Sequence, residues 1–291
     1  MGYDLKRKKN KTSNQFLIID IFIWAFLILA ALLILAPTIF MFTASVMPAN
    51  DILKMPYRWI PGGLYWQNYW QGIKGNDGSF MYIRNILNSL IVASVVSATT
   101  VILSALAGFG LAKYYFKGRT LVFMVIMATM MIPFEAIMIP LYLVITKLGL
   151  QDSYAGLIAP FLVNAFGVFL MRQYFITFPD EILDAARIDG ASELMIFRTI
   201  ILPNSIPVVA TLLILTFRVQ WGSLLWPLLI VQSREMETIP LYIVKFMTER
   251  YTDEGAMMAV AAIASIPILL VFFKLSEYFL GGAAIYSSRK G

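Results

Sequence analysis

Charged side chains are scarce in this chain, and those able to do chemistry gather in two places. Between Pro179 and Pro203 the sequence reads Pro-Asp-Glu-Ile-Leu-Asp-Ala-Ala-Arg-Ile-Asp-Gly-Ala-Ser-Glu-Leu-Met-Ile-Phe-Arg-Thr-Ile-Ile-Leu-Pro. Asp184 and Arg187 stand three apart, a spacing at which opposite charges pair on a helix. Glu181, Asp184 and Asp189 offer carboxylates to basic or backbone donors of a partner, and Ala185, Ala186 and Ala191 permit close approach. That chemistry suits docking or a membrane surface, not bond-making. The second group is Arg218, with Gln220 and Trp221, inside one apolar run, and Glu135 inside another. A charge in hydrocarbon is costly, so Arg218 should face a bundle interior or a watery cavity. There it either meets a substrate or pairs with a group such as Glu135.

Other chemistries are poorly supplied. The 291 residues include no His and no Cys, which removes imidazole bases, thiolate nucleophiles and the commonest zinc ligands. The composition is 59% hydrophobic and 14% charged, far from the quarter or so of charged residues in soluble domains. This is the composition of a polytopic membrane protein. The net charge of +6 follows topology rather than nucleic acid.

The elements that must position these residues are spans of about 20 apolar residues. Six are expected, at 16–42, 86–112, 121–145, 154–171, 206–230 and 256–280. In lipid the backbone must satisfy itself, so the spans are helices and the fold is all-α. Pro133, Glu135 and Pro140 interrupt the third. We expect it to break near Pro133 and to end in an irregular piece packed on protein. The basic run before the first span leads too long an apolar stretch for a secretory signal. With six spans both termini are cytosolic, and thirteen basic residues lie inside against eight outside. The layout is a basic terminus at 1–15, a six-helix domain at 16–280 with a cytosolic loop at 177–203 and outer loops at 48–84 and 231–255, and a tail at 281–291.

The loop at 48–84 carries Tyr57, Trp59, Tyr65, Trp66, Tyr69 and Trp70, either an ordered aromatic cap or an interfacial belt. In the loop at 231–255, Ile239, Pro240 and Tyr242 sit inside a charged frame, as a contact for an external protein would. Within 177–203, Thr177, Pro179 and Asp180 suit a helix start. Gly190 is the joint between two short helices, with Asp189 placed to cap the second. Residues alone leave two readings open: a docking element, or an amphipathic helix lying on the membrane.

Asp184-Ala185-Ala186, Gly190, and Ile200 with Leu202-Pro203 resemble the signature of permease subunits of binding-protein-dependent ABC importers: Glu-Ala-Ala, three residues, Gly, nine residues, Ile-x-Leu-Pro. Asp184 replaces the usual Glu. The resemblance covers nearly the whole chain and points to the carbohydrate, maltose-type family. It extends through Trp66-Gln67-Asn68-Tyr69, Asn88-Ser89-Leu90, Met131-Ile132-Pro133, Phe169-Leu170-Met171-Arg172-Gln173 and Trp221 with Leu225-Trp226-Pro227-Leu228. Gly222 stands where the family often has Asn, and Arg218 lies just upstream.

The resemblance implies a non-catalytic subunit of the bacterial inner membrane, passing sugars by alternating access. Its partners would be a second permease, expected to differ from this chain, two cytosolic ATPases and an external solute-binding protein. The loop at 177–203 would seat in a cleft of the ATPase through Glu181, Asp184, Ala185, Ala186, Asp189, Gly190, Ala191, Leu202 and Pro203. ATP and Mg would belong to the ATPase; this chain has no phosphate loop and is expected to hold no cofactor, metal or nucleic acid. Arg218, Gln220, Trp221, Trp226 and Glu135 are the candidates for the substrate path. Trp221, Trp226 and Tyr242 either stack on sugar faces or pack the bundle. The two-point geometry of a guanidinium would suit an acidic saccharide. The rival reading is a self-sufficient secondary carrier with Arg218 and Glu135 as its ion-coupled site.

Overall fold

The computed structural model describes residues 3–75, 78–248 and 253–288; Arg250, Arg289, Lys290 and the end of the tail lie outside them. Every regular element among the described residues is helical. In order they are α1 (Tyr3–Ala44), α2 (Ala49–Ile52), α3 (Gln67–Lys74), α4 (Tyr82–Lys113), α5 (Arg119–Thr129), α6 (Phe134–Lys147), α7 (Tyr154–Ile158), α8 (Ala165–Ile176), α9 (Asp180–Ile188), α10 (Glu193–Ile196), α11 (Leu202–Asn204), α12 (Ile206–Trp221), α13 (Leu225–Ile230), α14 (Ile239–Thr248) and α15 (Glu254–Ser288).

Three stretches are long and apolar enough to cross a bilayer: Ile19–Ala44, Tyr82–Lys113 and Glu254–Ser276. Three bent pairs pass the same test jointly: α5 with α6 at 96°, Tyr154–Phe161 with α8 at 45°, and Glu193–Asn204 with α12 at 79°. A count of six spans therefore depends on taking each bent pair as one. The third expected span does break at Pro133, whose extended φ −66°, ψ 142° cannot continue a helix. Its second half is not irregular, however. Phe134–Lys147 is a regular helix that contains Pro140. The fifth expected span is also divided, since α12 stops at Trp221 and α13 resumes at Leu225.

The chain forms two compact units, Met1–Trp70 with Asp253–Ala262, and Gln71–Thr252 with Ile263–Gly291. In the first, Asn68 is buried and donates to Ser45 O at 3.0 Å and Met47 O at 2.7 Å. Gly255 lies against it, and a Cβ there would come within 2.6 Å of the Asn68 side chain. Of the aromatics in this loop, Trp59 and Tyr57 edge onto Phe40 and Tyr69 bonds Ser45 at 2.8 Å, whereas Trp66 and Trp70 are exposed.

The second unit is built on α4. Its small residues admit close crossings: a Cβ on Gly108 would lie 2.7 Å from Met171 Cβ and 2.8 Å from the Arg172 backbone N, and one on Gly167 would lie 2.5 Å from Ser104 Oγ. Small residues four apart are what let helices approach this far without a hydrophobic drive. Around the crossing, Val101, Ala105 and Phe109 of α4, Met171 and Phe175 of α8, and Val208 and Leu212 of α12 form one apolar core. At the other end of α4, Asn88 donates to Glu235 O and Glu237 O, both at 2.8 Å, and accepts from Tyr154 OH at 2.6 Å. Ser89 accepts from Ile239 N at 2.8 Å, so the segment 235–239 is fastened to α4.

Candidate functional site

The segment after α8 begins with Thr177, whose hydroxyl donates back to Tyr174 O at 2.7 Å and so closes α8 instead of starting the next helix. Pro179 is the residue before α9, and Asp180 and Glu181 fill its first turn, where carboxylates meet the positive end of the helix dipole. Leu183 points inward and is 1% exposed. Asp189 ends α9 and does not cap the following helix. Gly190 then turns the chain at φ +83°, with nothing within 4 Å of the point a Cβ would occupy, so the backbone conformation and not space demands glycine. Ser192 caps α10, accepting from Met195 N at 3.3 Å.

Beyond α10 the helix widens into a π turn over Phe197–Ile201, closed by a Leu202 N–H bond to Phe197 O. Pro203 follows within α11 and lacks the N–H that would continue an α ladder to Thr199. The wider turn is a local solution of the kind that π bulges provide. It also leads the chain into the 79° bend before α12.

The two short helices are fixed to the spans by apolar and ionic contacts. Leu183, Ile196, Phe197 and Ile201 enter the core of α4, α8 and α12, with Ala186, Ala191 and Leu202 packed at its edge. Lys113 at the end of α4 donates to Asp180 Oδ1 at 2.6 Å and to Phe178 O at 2.5 Å. Arg187 reaches Asp184 Oδ1 at 2.7 Å, as its spacing requires, but also Glu193 at 2.7 and 3.2 Å. Glu193 accepts a further bond from Tyr114 OH. The bonds from Arg187 and Tyr114 hold the Glu193 carboxyl below the usual range. Burial, then the Glu193 bond and charge, push the Tyr114 hydroxyl up to about 12.

What remains outward is a second surface. Glu181, Asp184, Ala185, Asp189, Gly190 and Pro203 are exposed, and among them Ile188 is 86% and Leu194 61% exposed. Ala186 and Ala191 thus face the chain's own core, while Ala185 faces out. Sequence reasoning missed Ser192, Glu193, Tyr114 and Lys113. Ser192 carried a signal, a small capping residue after a glycine break and ahead of an apolar run. Tyr114 carried none, because it lies 79 residues from its partner.

The other sequence candidates are dispersed. Arg218 is exposed in the last turn of α12, Glu135 is exposed in the first turn of α6, and neither forms an ion pair among the described residues. Gln220 is half-buried. Trp221 stacks on Phe217 at 5.7 Å and donates to Ala264 O at 3.1 Å. Trp226 is 1% exposed, lies edge-on to Phe134 and Phe161, and donates to Gly156 O at 3.0 Å. Both indoles fill the interior of this chain. Ile239 and Tyr242 are buried as well, Tyr242 donating to Gly72 O at 2.7 Å, and Pro240 is half-buried. The exposed part of that loop lies upstream, where Asp152 Oδ1 accepts from Gln232 N at 2.9 Å and Ser233 N at 3.0 Å.

The family described as binding-protein-dependent transport system inner membrane component matches residues 100–280. The chain is 32% identical over 275 residues to the arabinooligosaccharides transport system permease protein AraQ of Bacillus subtilis, covering 94% of this chain and 97% of that one. It is 33% identical over 261 residues to the sn-glycerol-3-phosphate transport system permease protein UgpE of Agrobacterium fabrum, covering 88% and 93%. Among solved structures, a chain of a bacterial ABC transporter involved in the import of the acidic polysaccharide alginate superposes with a TM-score of 0.77 at 24% identity, over 90% of this chain and 96% of that one.

Proposed function

This chain belongs to the family of inner membrane components of binding-protein-dependent transport systems, and from that premise we propose that it is one permease subunit of an ATP-driven carbohydrate importer. The observation that carries the reading is the two-faced helix pair of 180–204. Its inner face is locked to α4, α8 and α12, while its outer face exposes Ile188, Leu194 and Ala185 together with Glu181 and Asp189, which form no ion pair among the described residues. A segment built this way suits transmission: an ATPase gripping the outer face would drag the span bundle with it, provided the grip differs between two ATPase states. The chain then needs no cofactor of its own, since ATP and Mg act on the partner. The remaining partners in this reading are a second, non-identical permease, two ATPases and a solute-binding protein meeting the loop near Gln232 and Ser233.

Relatives named for arabinooligosaccharides and for sn-glycerol-3-phosphate support a small carbohydrate cargo and span neutral and anionic kinds. The exposed Arg218, without an ion pair among the described residues, favours an anionic one. Nothing joins Arg218 to Glu135, so the ion-coupled carrier reading gains no support.

The deciding experiment co-purifies the chain with its ATPase and binding protein and measures ATP hydrolysis against a saccharide panel. Loaded binding protein should stimulate hydrolysis, and Ile188→Asp should abolish the stimulation while the chain still inserts. Unchanged stimulation in that variant would sink the docking assignment; equal uptake of neutral and acidic saccharides would remove the role given to Arg218.

A further inference from the structure

Where α4 ends and α5 begins, two guanidiniums rest on carbonyls at the end of α4 and on α5-side rings, and neither forms an ion pair among the described residues. Arg172 on α8 donates from Nε to Leu111 O at 3.2 Å and lies 4.0 Å from the centre of the Phe123 ring. Arg119, the first residue of α5, donates from Nη1 to Tyr114 O at 3.1 Å and lies 4.8 Å from the Tyr115 ring. Arg119 and Phe123 are four apart on α5, so they share its face. Each Arg spends one of its five N–H donors on a carbonyl at the end of α4. Because the Arg172 guanidinium lies over Phe123, one turn along the same face of α5 from Arg119, an anion placed there can meet both cations.

The surroundings add to the imbalance. No acidic residue stands in the first turn of α5, so the positive end of that helix reinforces the two charges. Lys117 is exposed beside them, and Lys113 is already engaged with Asp180. Tyr115 is 88% exposed and Phe116 48% exposed, an aromatic pair at the foot of a helix long enough to span a bilayer. Aromatic rings and basic groups in one short turn are the mark of the headgroup layer.

We propose that Arg119 and Arg172 form a binding site for the phosphate headgroup of an anionic phospholipid in the leaflet facing the 180–204 helix pair. The guanidiniums supply the charge-assisted donors, the Phe123 and Tyr115 rings lie against them, and Tyr115 and Phe116 rest at the boundary between headgroups and acyl chains. Basic pockets between membrane helices recognise such headgroups. Arg172 lies on α8, which runs directly into α9, so the bound lipid would stiffen the helix that carries the docking segment. The inference rests on the topology of the proposed function.

The test uses the full-length chain, purified with its co-expressed neighbours into nanodiscs of phosphatidylcholine with or without phosphatidylglycerol, then extracted for native mass spectrometry. Wild type should retain phosphatidylglycerol in preference to phosphatidylcholine. R119Q should lower that retention roughly fivefold and R119Q/R172Q roughly thirtyfold, at the usual worth of one surface cation each. Arg119 opens onto the surface turn, so R119Q alone decides the matter if the double variant fails to fold. Lys54→Gln, which removes the same charge elsewhere, should have no effect. Equal retention of both lipids by wild type, equal loss from Lys54→Gln, or displacement of the lipid by inorganic phosphate overturns the proposal. Lipid retention is read without ATP, so its failure is distinct from a failure of ATPase stimulation.

Discussion

At the scale of single residues, Glu193 is the node that ties the 180–204 helix pair together, because it joins Arg187 of α9 to Tyr114 at the end of α4. Asp184 with Arg187 was legible from spacing alone. Glu193 was not, since half of its partners come from across the fold. Its side chain is 44% exposed, so solvent screening limits each bond, and Glu193→Gln should cost under about 1 kcal/mol. The pH dependence follows from the signs. A carboxyl depressed below its ordinary 4.5 contributes stability that is present above 4.5 and lost as the pH falls through the lower folded value. Tyr114, raised from 10.0 to about 12, contributes below 10 and is lost as the pH rises toward 12. The melting difference between wild type and Glu193→Gln should therefore be constant at neutral pH and vanish on acidification; a difference that grows in acid would refute it. Trp226 teaches the converse lesson. An indole in a membrane bundle looks like a sugar platform until it is found 1% exposed and packed against Phe134 and Phe161.

At the scale of elements, two glycines act for different reasons, and substitution separates them. Gly190 sits at φ +83° in open space, so Gly190→Ala should cost about 1 to 2 kcal/mol in strain and leave insertion intact, with Gly190→Val worse and ATPase stimulation lost. Gly108 meets backbone atoms of α8 instead, so Gly108→Ala should force α4 and α8 apart and lower the yield of membrane-inserted protein. Thermal melts and membrane yields of the two alanine variants check the contrast. If Gly190→Ala proves the more damaging to insertion, the crossing of α4 on α8 is not as tight as described. The breaks at Pro133 and Gly190 could be read from sequence because proline and glycine act on the backbone locally. The break between Trp221 and Leu225 carried a signal of the same kind in Gly222, which a span reading set by apolar length passed over. The regular course of α6 through Pro140, which neighbouring helices permit, could not be read this way.

At the scale of the molecule, composition alone made the chain an all-helical membrane protein, while its span count turns on whether each bent pair crosses once. The absence of cysteine makes the orientation directly measurable. Gln232→Cys should react with an impermeant maleimide in intact spheroplasts, and Ala185→Cys only in inverted vesicles. Labelling of both from one side would overturn the six-span topology. One element joins these scales. The same α4 holds the segment 235–239 through Asn88 and Ser89 near its start, and the 180–204 helix pair through Lys113 and the adjoining Tyr114 at its end. Those fastenings lie about 38 Å apart at the rise of an α-helix. With backbone crossing backbone at Gly108, there is little slack for a displacement to be lost in. In the importer proposed above, α4 would thus act as a push-rod, carrying a displacement at one fastening to the other with no relay of side chains between them.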